Sequence, residues 1–257
     1  MSQVHDATTS PERTQGPSAI VRELAAVYLA AAALTVVTGY GQGALARDFG
    51  HLALAGGFLW LSLHMARRTG RSARDYGIDL EGVLEARRDA SGAPEGLWSA
   101  LHKALPRMAK ELLFALLCAA IIFPPFVVGF KLWHDVTRPF SLHLPDAPLD
   151  AVLTQLLVVA LPEEALFRGY FQTRLRDLFP ARRSVLGARI SPAAIAWQAA
   201  LFALLHFVVG FSPSRLAVFF PGLVFGFIRA KRDGIGAAMW FHAMSNLLSI
   251  TLSRGYM

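Results

Sequence analysis

Two adjacent carboxylates, an arginine, two histidines and an asparagine stand inside otherwise apolar stretches in the last hundred residues. They are Glu163 and Glu164 with Arg168, then His206, then His242 with Asn246. These side chains suit acid/base chemistry: a base takes a proton from water, and donors meet the negative charge that develops on a carbonyl oxygen. An ionisable group at bilayer depth costs roughly 3 kcal/mol or more, so it persists only with a partner, with water or with a job to do.

The spacing sorts the groups. On a helix, Glu164 and Arg168 are four apart, share a face and pair. Glu163 is turned by about 100° from its neighbour, stays available and is the candidate general base. The bland alternative is a snorkelling cluster that ends the fourth helix. His206, in Phe202-Ala203-Leu204-Leu205-His206-Phe207, reads alone as a satisfied core histidine. His242 and Asn246 project from one helical face and by themselves read as a bridge between helices. Depth separates these readings. Measured from the midpoint of each apolar run at 1.5 Å per residue, Glu163 lies about 6 Å to one side of the midplane, His206 about 5 Å to the other, and His242 and Asn246 about 3 Å either side. All four fall in one slab, with about 10 Å of height left between Glu163 and His206.

The elements that must position them are membrane helices. Of 257 residues, 54% are hydrophobic and 17% charged, and the mean hydropathy is +0.42, a balance outside the range of soluble domains. Apolar runs able to span a hydrocarbon core, which takes about 20 helical residues, recur near residues 24–41, 49–66, 111–131, 149–168, 193–212, 214–229 and 235–253. The fold class is therefore all-α, a polytopic transmembrane helix bundle of about seven spans, six to eight. The sixth run is short and carries Pro221. Its Gly222 and Gly226 form a G-x-x-x-G that permits close helix contact.

Residues 1–23 are a polar stretch expected as a disordered cytoplasmic tail. Two N-terminal spans occupy 24–66, a basic cytoplasmic loop 67–110, and the transmembrane core 111–257. Within that loop Leu97, Trp98, Leu101, Leu105 and Met108 pattern either an amphipathic helix on the inner leaflet or an ordinary linker helix. With the N-terminus inside, 20 of the 25 Lys and Arg residues fall in cytoplasmic segments and five outside, a strong positive-inside pattern. The basic excess is thus a topology signal, and nucleic acid is not an expected partner. The one cysteine, Cys118, lies mid-run and outside the candidate site.

In their order and on separate apolar helices, Glu163-Glu164-x-x-x-Arg168, Phe202-x-x-x-His206 and His242-x-x-x-Asn246 resemble the CPBP family, the CAAX protease and bacteriocin-processing (Abi) intramembrane proteases. The resemblance covers residues 150–253 and implies a CAAX-protease-like core and a glutamate-dependent endopeptidase. By that resemblance Glu163 and His206 activate the attacking water, and His242 and Asn246 stabilise the oxyanion. Glu164, Arg168 and Phe202 support them. It implies no metal and no cofactor, and as partners a membrane-anchored protein or peptide substrate and the lipid bilayer. The overall likeness is to the myxosortase subgroup, which implies processing of C-terminal sorting signals of exported proteins at a bacterial inner membrane.

Two other classes fit the same residues. Two histidines and a glutamate are a known zinc set, although no H-E-x-x-H is present. A transport or immunity protein would use midplane polar groups to carry protons or to hold helices, although the internal repeats common in transporters are not evident.

Overall fold

Each apolar run of the sequence becomes a helix in the computed structural model, which describes residues 15–40, 44–80, 83–84 and 96–256. The helices are α1 (Pro17–Tyr40), α2 (Ala44–Arg68), α3 (Leu97–Trp133), α4 (residues 148–178), α5 (Pro192–Val208), α6 (Phe219–Arg232) and α7 (Gly236–Tyr256). A small antiparallel hairpin, β1 (Arg183–Val185) with β2 (Ala188–Ile190), joins α4 to α5. A 3-10 turn, Pro213–Val218, precedes α6. The start of α5 is encoded locally: Ser191 accepts from the Ala194 N–H at 3.3 Å and Pro192 takes the first helical position, where its missing N–H costs nothing.

Among the described residues three helices contain segments long and apolar enough to cross a membrane: Pro17–Tyr40, Phe49–Arg68 and Trp98–Trp133. The other four carry the candidate site and fall short for different reasons: α5 is apolar but has only 17 residues. α7 spends hydropathy on His242, Ser245, Asn246 and Ser249, and α4 on its glutamates and Arg168. α6, with 14 residues, reaches only about 21 Å against a core of about 30 Å.

Three expectations change. Helix α1 begins at Pro17, so residues 17–23 are helical, whereas residues 1–14 of the expected tail lie outside the described residues. The amphipathic stretch from Leu97 is not a separate surface helix. It is the first part of α3, whose 37 residues run unbroken into the third span, about 55 Å in all. Arg168, the last residue of the fourth apolar run and one of the 20 cations assigned by sequence to cytoplasmic segments, is fully buried within α4. Part of the basic loop, residues 81–82 and 85–95, lies outside the described residues.

The helix ends alternate. At one end Arg174 pairs with Glu23 at 2.8 Å, Arg71 with Asp177 at 2.9 Å and Arg232 with Glu111 at 2.7 Å, while the Ile235 N–H donates to the Gly77 carbonyl at 3.0 Å. These contacts gather all four basic segments at one end. At the other end Tyr40 donates to the Val208 carbonyl at 3.0 Å, and the Ser141 N–H bonds the Gly255 carbonyl at 3.0 Å. Gly222 and Gly226 seat α6 on α5: a Cβ at Gly226 would come within 2.6 Å of Gln198 Nε2. The freed backbone serves as acceptor. Gln198 donates to the Gly222 carbonyl and Gln172 to the Gly226 carbonyl, each at 2.9 Å, so each buried amide nitrogen has a backbone partner on α6.

Candidate active site

Helix α4 presents its two glutamates between two wide turns. Thr154–Ala160 and Ala165–Phe171 are π-helical, so the Leu161 N–H bonds the Leu156 carbonyl and the Gln172 N–H bonds the Phe167 carbonyl. Pro162 has no N–H to give to an α-helical ladder, which is one local reason for the altered pattern. Such insertions are frequent at functional sites.

His242 sits between the two carboxylates. Its Nδ1 is 2.8 Å from Glu164 Oε1 and its Nε2 is 3.7 Å from Glu163 Oε2. A carboxylate only accepts, so Nδ1 carries the proton and Nε2 is the nitrogen that faces Glu163. The ring is fixed on its faces too. It stacks on Phe225 with centroids 4.7 Å apart and meets Phe202 edge-on at 6.0 Å.

The same Glu164 Oε1 is 2.9 Å from Arg168 Nη1, with both side chains fully buried. That nitrogen makes no aligned hydrogen bond, so the contact is an ion pair rather than a linear donor–acceptor bond. The guanidinium lies between two aromatic faces, 4.2 Å from the Phe202 centroid and 4.8 Å from that of Phe225. Cation–π attraction at such a desolvated position reaches about 2 kcal/mol. Phe202 thus touches Arg168, His206 and His242, which accounts for an aromatic at that motif position.

His206 stands apart from Glu163. Its Nδ1 is 3.0 Å from the Phe202 carbonyl, its ring is 4.3 Å from that of Phe202, and it lies two residues from the end of α5. Among the described residues no hydrogen bond or ion pair joins it to Glu163. The carboxylate faces His242 instead, in keeping with the height difference anticipated from the run midpoints.

His206, His242 and Asn246 are brought together by a cavity of about 270 Å³, whose walls come from α3, α5, α6 and α7. It is mostly apolar, with Ser245 and Ser249 as further polar lining, and at about 30 Å³ per water it has room for several. Asn246 Nδ2 donates to Gln155 Oε1 at 2.9 Å. Gln155 escaped the sequence reading; its only signal was an amide inside the fourth apolar run. Among the described residues no three His, Cys, Asp or Glu side chains are grouped to hold a metal ion.

Residues 145–248 match the family model described as Type II CAAX prenyl endopeptidase Rce1-like. This stretch is similar to a CAAX-protease-family domain. It contains every residue of the glutamate, histidine and asparagine motifs, and it makes the chain an integral membrane protein with the domain of a membrane protease. No curated protein and no solved structure matches the chain. The α3 wall of the cavity lies outside the matched CAAX-protease segment.

Proposed function

We propose that this protein is an intramembrane endopeptidase that hydrolyses a peptide bond of a membrane-anchored protein with a glutamate-activated water and no metal. The observation that carries the reading is the placement of one imidazole between two carboxylates beside a largely apolar cavity. Glu163 takes a proton from the attacking water, and His206 holds the water from the cavity wall. Oxygen adds to the scissile carbonyl. His242 Nε2 and the Asn246 amide then donate to the oxyanion, and the leaving nitrogen departs with the proton from Glu163. Donation from Nε2 requires the doubly protonated ring, a cation that Glu163 and Glu164 flank. Glu164 and Arg168 hold that ring and do not touch the reacting atoms.

The N-terminus is cytoplasmic, on the distribution of Lys and Arg among the loops, and the membrane is a bacterial inner membrane, as the likeness to myxosortases implies. The substrate class is exported proteins with a C-terminal sorting signal, as the likeness to myxosortases implies. The test is comparative mass spectrometry of membrane proteins from cells carrying wild type, Glu163→Gln or no copy of the protein. Precursors longer at the C-terminus should accumulate in the last two and not in the first. Identical termini in all three would sink the proposal.

A further inference from the structure

The cavity occupies one half of the bundle. His206 is two residues from the end of α5 that neighbours Tyr40, and the cavity also takes Ala217 and Val218 from the turn that leads into α6. Phe126 of α3 and Ala217 are the exposed members of its wall. Both lie toward the end of the bundle that holds Ser141 and Gly255, away from the paired arginines. In the other direction it is closed. Phe225, Phe241 and His242 form the floor, and beyond them Ile228, Ile235 and Met239 are all buried. The fully buried Glu164–Arg168 pair adjoins that floor.

The ends of the bundle differ in charge as well as in access. Without the buried Arg168, the four basic segments carry 19 of the 25 Lys and Arg residues, and their described parts meet at the closed end, tied by Arg174–Glu23, Arg71–Asp177 and Arg232–Glu111. The positive-inside bias puts such an end in the cytoplasm.

We infer that the cavity is reached from the external face of the membrane and is closed to the cytoplasm. Water enters from outside, and the substrates are exported, membrane-anchored proteins whose scissile bond lies in the outer half of the bilayer. The substrate class rests on the protease reading; the route of access does not.

Single cysteines in a Cys118→Ala background test the route. Ser249→Cys places a thiol in the cavity, Ala217→Cys one at its rim, and Arg176→Cys one at the basic end. A membrane-impermeant methanethiosulfonate is added to spheroplasts and, separately, to inverted vesicles. Ser249→Cys and Ala217→Cys should react at least tenfold faster in spheroplasts, and Arg176→Cys at least tenfold faster in inverted vesicles. Faster reaction of the cavity thiols in inverted vesicles overturns the inference, as does reaction of the cavity thiols in neither preparation or of Arg176→Cys in spheroplasts. Proteolysis is not part of the readout. External labelling combined with unchanged substrate termini in the Glu163→Gln cells would therefore remove the protease reading and leave the route standing.

Discussion

His242 Nδ1 lies 2.8 Å from Glu164 Oε1, and that contact separates the two glutamates by structural weight. Glu164 is fully buried and holds both the imidazole and Arg168. Glu163 is partly exposed and has a buried Oε2 without a hydrogen-bond partner. One carboxylate is committed to structure and the other is free to accept a proton.

The two glutamines therefore separate. Glu164→Gln leaves the Arg168 guanidinium buried without its counter-charge, and breaking a buried pair this way costs about 3–5 kcal/mol. Glu163→Gln leaves that pair intact and removes the proposed base. Thermal unfolding in detergent should show a large drop in Tm for Glu164→Gln and a Tm near wild type for Glu163→Gln. Peptide hydrolysis by Glu163→Gln should fall by roughly 10²–10⁴-fold, the usual worth of a general base. A Glu163→Gln protein that cleaves at the wild-type rate contradicts the assignment.

The legible part of the fold was its hydropathy. Seven apolar runs became seven helices because burial of apolar surface is written residue by residue. The Glu164–Arg168 pair was legible as well, since a spacing of four is local geometry. What stayed hidden depends on packing between distant segments. Nothing in the chain around residue 242 says that its imidazole will reach back to Glu164, or that Gln155 will meet Asn246. The length of α3 was hidden by a change of composition near residue 110, where charged residues give way to apolar ones without a helix break. Arg168 was misplaced among loop cations because its aromatic cover, Phe202 and Phe225, comes from two other helices.

Removal of metal distinguishes the proposed chemistry from zinc hydrolysis. His242 Nδ1 is occupied by Glu164, and His206 Nδ1 faces a backbone carbonyl. Protein purified through a chelator and shown metal-free by elemental analysis should cleave at the untreated rate. Loss of cleavage that added zinc restores would transfer the reaction to a metal mechanism.

The packing of α6 on α5 has little slack. A Cβ at Gly226 would stand 2.6 Å from Gln198 Nε2 and 3.0 Å from Ile195 Cγ2, closer than such atoms pack. Gly226→Ala should thus destabilise by about 1–3 kcal/mol, the range for overpacking a filled core. It should do so more than Gly222→Ala, whose nearest contact is 3.2 Å from Ala199 Cβ. The two midpoints of thermal unfolding, measured in the same detergent, check the order.

Gln155 and Asn246 form a coupled pair. Asn246 Nδ2 gives one hydrogen to Gln155 Oε1 at 2.9 Å, which fixes which end of the amide is the donor. Its second hydrogen is then available to an oxyanion in the cavity that Asn246 lines. Removing one oxyanion donor costs about 10²–10³ in kcat, and Asn246→Ala should show a loss of that size. Gln155→Ala leaves the donor in place with its orientation unguided, so its loss in kcat should be smaller. Gln155→Glu keeps an acceptor at the same atom and should recover most of the activity. Once Asn246 is alanine there is nothing left to orient, and adding Gln155→Ala should cost little more. A double variant whose loss equals the product of the two single losses would show that the residues act independently, and Gln155 would then have no part in positioning the donor.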